Sequence, residues 1–149
     1  MPMDRSKYPA NWDEISQQIR FERAGGRCEW CGVAHGAVGA RDKNGHWHDE
    51  DRIHHMSATE GDLLFGEFPK MIRIVLTTAH LGVDKPDGSP GDKHDKMDCR
   101  PENLAALCQR CHLNFDRDEH IANRRRTLAE RREAEIRATG QLSLWEMLK

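Results

Sequence analysis

The sequence predicts an α+β domain stapled by a four-cysteine zinc site. Three observations carry that expectation: two Cys-x-x-Cys pairs, Cys28/Cys31 and Cys108/Cys111; two β-rich segments, residues 71–78 and 104–107; and helical patterns near both ends. A chain of 149 residues suits one domain. With 32% charged and 37% hydrophobic residues, its core is modest and its surface very polar. No window approaches the roughly 18–20 apolar residues of a membrane helix. The opening Met1-Pro2-Met3-Asp4-Arg5-Ser6 has no apolar signal-peptide core. The expectation is therefore a cytoplasmic chain, neither secreted nor inserted in a membrane. At a net charge of −2, any nucleic-acid-binding patch must be local.

The expected elements follow in chain order. A helix within 8–27 opens at Asn11 as cap with Glu14 three residues on, carries Trp12, Ile15 and Ile19 on one stripe, and ends at Gly25-Gly26. Cys28-Glu29-Trp30-Cys31-Gly32 is the tight turn of a zinc knuckle. Residues 33–70 read as an insertion and are the least patterned stretch. Within them, Asn44-Gly45 predicts a two-residue hairpin turn between short strands at 38–43 and 46–48. Beyond it, 48–52 reads as a charged loop. His46, His48, His54 and His55, with Asp49 and Asp51, read as solvated polar groups in preference to metal ligands.

Residues 71–78 predict the clearest strand, delivering Ala79-His80-Leu81 to its end. Residues 82–98 hold Pro86, Gly88, Pro90 and Gly91 and predict a long surface loop. Pro101-Glu102-Asn103 turns into a short apolar strand at 104–107. A helical pattern starts at Gln109, and Leu113, Ile121, Leu128 and Ile136 allow one long helix or two. Gly140 stops it. Ser143-Leu144-Trp145-Glu146 then resembles a capping box opening a short amphipathic tail with Leu142 and Leu148. The chain has no internal repeat.

In a reducing compartment two Cys-x-x-Cys pairs read as one tetrahedral zinc site before they read as disulfides. The zinc would clamp the N-terminal segment to the start of the late helix, supplying a large share of folding free energy in so small a core. Cys99 is left over and reads as a buried small hydrophobe. Cys108-Gln109-Arg110-Cys111-His112 also has the form of a c-type haem attachment site. That chemistry belongs to exported proteins, and it leaves Cys28 and Cys31 without a role.

Ala79-His80-Leu81, Pro101-Glu102-Asn103-Leu104, Leu107-Cys108-Gln109-Arg110-Cys111-His112 and Asn114-Phe115-Asp116, in that order, resemble the HNH nucleases. The resemblance is to the compact bacterial and phage members with a four-cysteine zinc site, and it covers roughly residues 26–117. It implies a ββα-metal unit, a hairpin and helix around one catalytic divalent ion, working on double-stranded DNA in a bacterial cell or phage-infected host. By that resemblance His80 is the general base, since a neutral imidazole takes a water proton near pH 7. Asn103 orients the loop carrying His80. His112 and Asp116, four residues apart, bind the catalytic ion, with Mg²⁺ or Mn²⁺ favoured and Ni²⁺ or Zn²⁺ compatible. Many family members carry Asp or His just before the base. Here that position is Ala79, so the alternative is a zinc-stapled DNA-binding module without catalysis.

Two groups of cations read as phosphate contacts. Arg124, Arg125 and Arg126 form a cluster in a late segment, 118–149, that is basic helix and tail, although Arg126 with Glu130 and Arg131 with Glu135 also suit intrahelical ion pairs. Lys85, Lys93 and Lys96 lie on the long loop. Nothing in the sequence resembles a base-reading module.

Overall fold

The structure is a computed structural model that describes residues 4–66 and 68–139. It is α+β, with two small antiparallel sheets and a chain that divides into two compact units, Met1–His112 and Leu113–Lys149. The expected helix stop at Gly140 and the tail with Leu142, Ser143, Leu144, Trp145, Glu146 and Leu148 lie outside the described residues.

Helix α1 spans Trp12–Gln17 and runs on through a wider π-helical turn, Gln18–Arg23. Asn11 does not cap it: its side chain makes no capping bond, and its backbone is already part-way into the turn. The chain leaves at Gly25 and Gly26, both at positive φ, which a side chain would resist. Trp12 and Ile19 bury their side chains against Leu104 and Ala106, with Tyr8, Ile15, Ala24 and Cys99 around them.

The first sheet is built from two strands of the insertion and one just after it. Strand β1, Val38–Arg41, pairs with β2, Trp47–Asp49, on one edge and with β3, Ile72–Arg73, on the other. The predicted hairpin is present, but its first strand is shorter than expected, its second is shifted by one residue, and its loop is longer. Asp42 N–H closes it on the His46 carbonyl at 3.0 Å, leaving Lys43–Gly45 as the loop. Gly39 is required here, because a Cβ would collide with the His48 carbonyl oxygen across the pair. The expected charged loop at 48–52 is instead mostly helix α2, Glu50–His54, followed by α3, Ala58–Phe65. Glu50 and Asp51 occupy the first turn of α2, where carboxylates suit the positive end of the helix. Ser57 caps α3 and Gly66 ends it at positive φ.

The predicted strand at 71–78 is two strands. The chain switches sheets at Ile74, whose N–H and carbonyl bond to Ala37 and Gly36, both at 2.8 Å. Ile74 is 1% exposed, so the switch itself is part of the core. Strand β4, Leu76–His80, then pairs with β5, Leu104–Cys108, setting His80 opposite Leu104 and Leu76 opposite Cys108. All five residues of β5 are buried. One of its faces meets α1, and the other joins the cluster of Cys28, Val33, Ile74, Leu76, Ala79, Ala105 and Leu107. Burying side chains such as Leu76 and Leu107 stabilises by about 1.5–3 kcal/mol each.

Only one edge of β5 is covered by β4. The other is satisfied by Glu29, whose N–H donates to the Ala106 carbonyl at 2.9 Å and whose Oε2 accepts the Ala106 N–H at 2.6 Å. Arg23 forks onto the Glu29 carboxylate at 3.0 and 2.8 Å and donates to the Leu104 and Pro101 carbonyls. Helix α4, Gln109–Phe115, starts directly from β5, and α5, Arg117–Thr139, follows after a turn at Asp116. The late helical pattern is thus two helices.

Candidate metal centre and hairpin–helix site

Two tight turns bring the four cysteines together. In the first, Cys28 N–H bonds the Val33 carbonyl and Gly32 N–H the Cys28 carbonyl, with Gly32 at φ +75°. Arg27 and Ala34 bridge its base. The second is the junction where β5 ends at Cys108 and α4 carries Cys111. All four Sγ atoms lie within 4.8 Å of one another, and Cys31 and Cys108 are 3.6 Å apart. Zn–S bonds of about 2.3 Å in a tetrahedron put sulfurs about 3.8 Å apart. The donor set fits a structural metal such as zinc.

The thiol acidities agree with that fit. Burial works to raise Cys31, but the Val33 N–H and the neighbouring thiols outweigh it and hold its pKa at about 7. Burial and the neighbouring sulfurs push Cys111 well above the usual thiol range, and burial pushes Cys108 up as well. Without a cation the cluster gives up one proton readily and resists losing the next. A bound Zn²⁺ lets all four thiolates coexist.

His80 and Asn103 meet at one end of the β4–β5 hairpin. Asn103 is fully buried. Its Oδ1 accepts from Val83 N–H at 2.9 Å, its Nδ2 donates to the Asp98 carbonyl at 2.9 Å, and its own carbonyl accepts from Leu81 N–H at 2.8 Å. Both ends of the long loop are therefore tied to one side chain. His80 is 5% exposed, with its ring stacked on Trp12 at 5.2 Å and the Tyr8 ring tilted against it at 6.0 Å. Burial, and then the charge of Lys96, hold its pKa below the usual imidazole value, so the ring is neutral at pH 7.

His112 lies on α4, against the hairpin. Its Nδ1 is 2.8 Å from Thr77 Oγ1. Alternate residues of a strand face opposite sides, and Thr78, which shares the side of His80, bonds Ser16 of α1 at 2.9 Å. His80 and His112 thus stand on opposite faces of β4, with Ala79 on the face of His112. Asp116 belongs to the second unit. Among the described residues, the four cysteines are the one group of three or more ligand side chains gathered closely enough for a metal.

Compared with known protein families, curated proteins and solved structures, the chain matches none.

Lys85 pairs with Asp95 at 3.5 Å, and Lys96 Nζ donates to the Lys93 carbonyl at 2.8 Å, so both serve the fold of the 82–98 loop. That loop is pinned by Asp side chains accepting from nearby backbone N–H groups and by Arg100, which grips Asp98 and the Val83 carbonyl. Arg124, Arg125 and Arg126 are exposed on α5, where Arg126 is 4.0 Å from Glu130 and bonds Asn123. Cys99 is only partly buried. Its thiol lies 3.4 Å from the Lys96 carbonyl and 4.0 Å from His80 Nε2.

His48 corrects the solvated reading. Its side chain is 11% exposed, and its Nε2 is 3.1 Å from Oδ2 of the buried Asp42. His46, His54 and His55 stay exposed or nearly so. The sequence reading missed Arg41, Asp42, Glu29 and Thr77. Glu29 had a signal in its place inside the first knuckle; the others carried none.

Proposed function

We propose that this chain is a metal-dependent endonuclease hydrolysing DNA phosphodiester bonds. The observation that supports it is the buried Asn103, bridging the segment just past His80 to the far end of the long loop. That is the positioning task the HNH resemblance assigns to its asparagine. In this reading the His80 imidazole takes the proton of the attacking water, and the neutrality imposed by burial suits it to that step. His112, steadied at Nδ1 by Thr77, would be a ligand of the catalytic ion. When bound, the ion supplies charge neutralisation at the phosphate and at the departing 3′ oxygen.

A second reading has its own support. Trp12 and Tyr8 cover His80, His80 and His112 face opposite sides of β4, and Ala79 offers no ligand beside His112. A zinc-stapled nucleic-acid-binding module without catalysis would tolerate all three. Metal titration of plasmid nicking separates the two. His80→Ala should abolish cutting at every ion concentration, whereas His112→Ala should cut weakly and recover at high Mg²⁺ or Mn²⁺. If none of these proteins nicks DNA while the parent still binds it, the binding module is the function.

A further inference from the structure

We propose that Arg41 is a working part of the metal centre: its guanidinium donates to two of the four sulfurs and sets how tightly zinc is held. This goes beyond the nuclease reading and does not depend on it. It rests on zinc at the four cysteines.

Arg41 is the last residue of β1, in the insertion, yet its Nη2 lies 3.7 Å from Cys31 Sγ and 3.6 Å from Cys108 Sγ. The two sulfurs come from different knuckles, so one guanidinium bridges both halves of the site. Its other arm donates to the Gly45 carbonyl at 3.1 Å, and its plane lies over Trp47 at 5.4 Å. Those contacts fix the fork's direction. Zn²⁺ with four thiolates carries a net charge of −2 in a half-buried place. Backbone N–H groups already serve these sulfurs: Val33 donates to Cys31 and Cys111 to Cys108. Arg41 adds a positive charge and charge-assisted donors where the excess negative charge sits.

The hairpin is built to present that residue. Asp42, next in the chain and buried, accepts from Asn44 and His46 N–H at 2.9 Å through Oδ1 and meets both His46 and His48 through Oδ2. Gly39 lets β2 approach β1 closely, and Gly45 lies against the Arg110 guanidinium. The insertion is thus anchored on the cysteine cluster, and loss of zinc would release it.

The test uses the full zinc-loaded chain, with zinc counted first by elemental analysis. Arg41→Met keeps the stem and removes charge and donors. It should weaken zinc retention against a chromogenic chelator about ten- to hundredfold and speed N-ethylmaleimide labelling of Cys31 and Cys108. With Co²⁺ in place of zinc it should also shift the sulfur-to-metal charge-transfer bands, which a loss of packing alone would leave in position. Arg41→Lys keeps the charge but cannot serve both sulfurs and Gly45, so it should fall between. Parent-like retention and labelling in both variants overturns the proposal. If Arg41→Met does not fold, Arg41→Lys decides: a several-fold loss supports the role, and parent-like retention refutes it. A parent chain that purifies without zinc refutes it as well.

Discussion

Replacing Asn103 with Ala should destabilise the first unit by about 2–4 kcal/mol, more than most single substitutions cost. The side chain is fully buried, and its amide makes two bonds of 2.9 Å, from Val83 N–H and to the Asp98 carbonyl. Removing it leaves both partners without a mate, and an orphaned buried polar group costs about 1–3 kcal/mol. Asp98 is 9% exposed, so water cannot easily replace the lost donor. Val83 is 40% exposed, which puts its share at the low end. In urea, with a slope of about 2 kcal/mol/M, the midpoint should fall by about 1–2 M. Asn103→Asp should do comparable harm, since it keeps the acceptor for Val83 but turns a second acceptor toward the Asp98 carbonyl. Zinc should stay bound in both variants. A midpoint within about 0.3 M of the parent, the scale of a neutral surface change, would refute the claim that Asn103 holds the loop.

Three further outcomes are expected. Cys28→Ser or Cys108→Ser should lose the metal and the cooperative unfolding transition, while Cys99→Ser keeps both; atomic absorption and circular dichroism report each. Because burial lowers the His80 pKa, the unfolded chain takes up that proton first as pH falls through about 6.5. Stability from this group is full above that pH and declines below it, so the parent should lose more between pH 7.5 and 5.5 than His80→Gln does, and equal losses would count against the burial argument. Changing Arg124, Arg125 and Arg126 together to Gln should weaken DNA binding and flatten its salt dependence by about three phosphate contacts. An unchanged slope would make the cluster a solvated face.

The cysteine cluster was legible because its signal is local and chemical: two spacings that each permit one tight turn. The strands of the β4–β5 hairpin were legible as β-rich runs, Leu104, Ala105, Ala106 and Leu107 above all, while their pairing was only what the HNH resemblance implied. What was not legible depends on distant partners. Nothing in residues 71–78 marks Ile74 as the point where the chain leaves one sheet for another; its Ala37 and Gly36 partners decide that. The α2 segment looked like a charged loop because its acids and histidines hide no apolar stripe, and helix formation there owes more to Glu50 and Asp51 at the first turn than to burial. His48 looked solvated because a sequence cannot show that Asp42 is buried beneath it. Arg41 lacked any signal, being one arginine among many until the hairpin delivers it to the sulfurs.

In the candidate site the residue types were readable and their facing was not. Odd and even positions of β4 send His80 toward Trp12 and Thr77 toward His112. That separation follows from strand geometry once the register with β5 is known, and the register comes from the pairing of His80 with Leu104.

The most direct test of the account is conversion of supercoiled plasmid to open circles by the zinc-loaded parent chain, with Mg²⁺, Mn²⁺ or Ni²⁺ added and with a chelator as control. The account predicts nicking that needs the added ion and vanishes in His80→Ala while zinc content and fold persist. Absence of nicking with every ion, or equal nicking by His80→Ala, would contradict it.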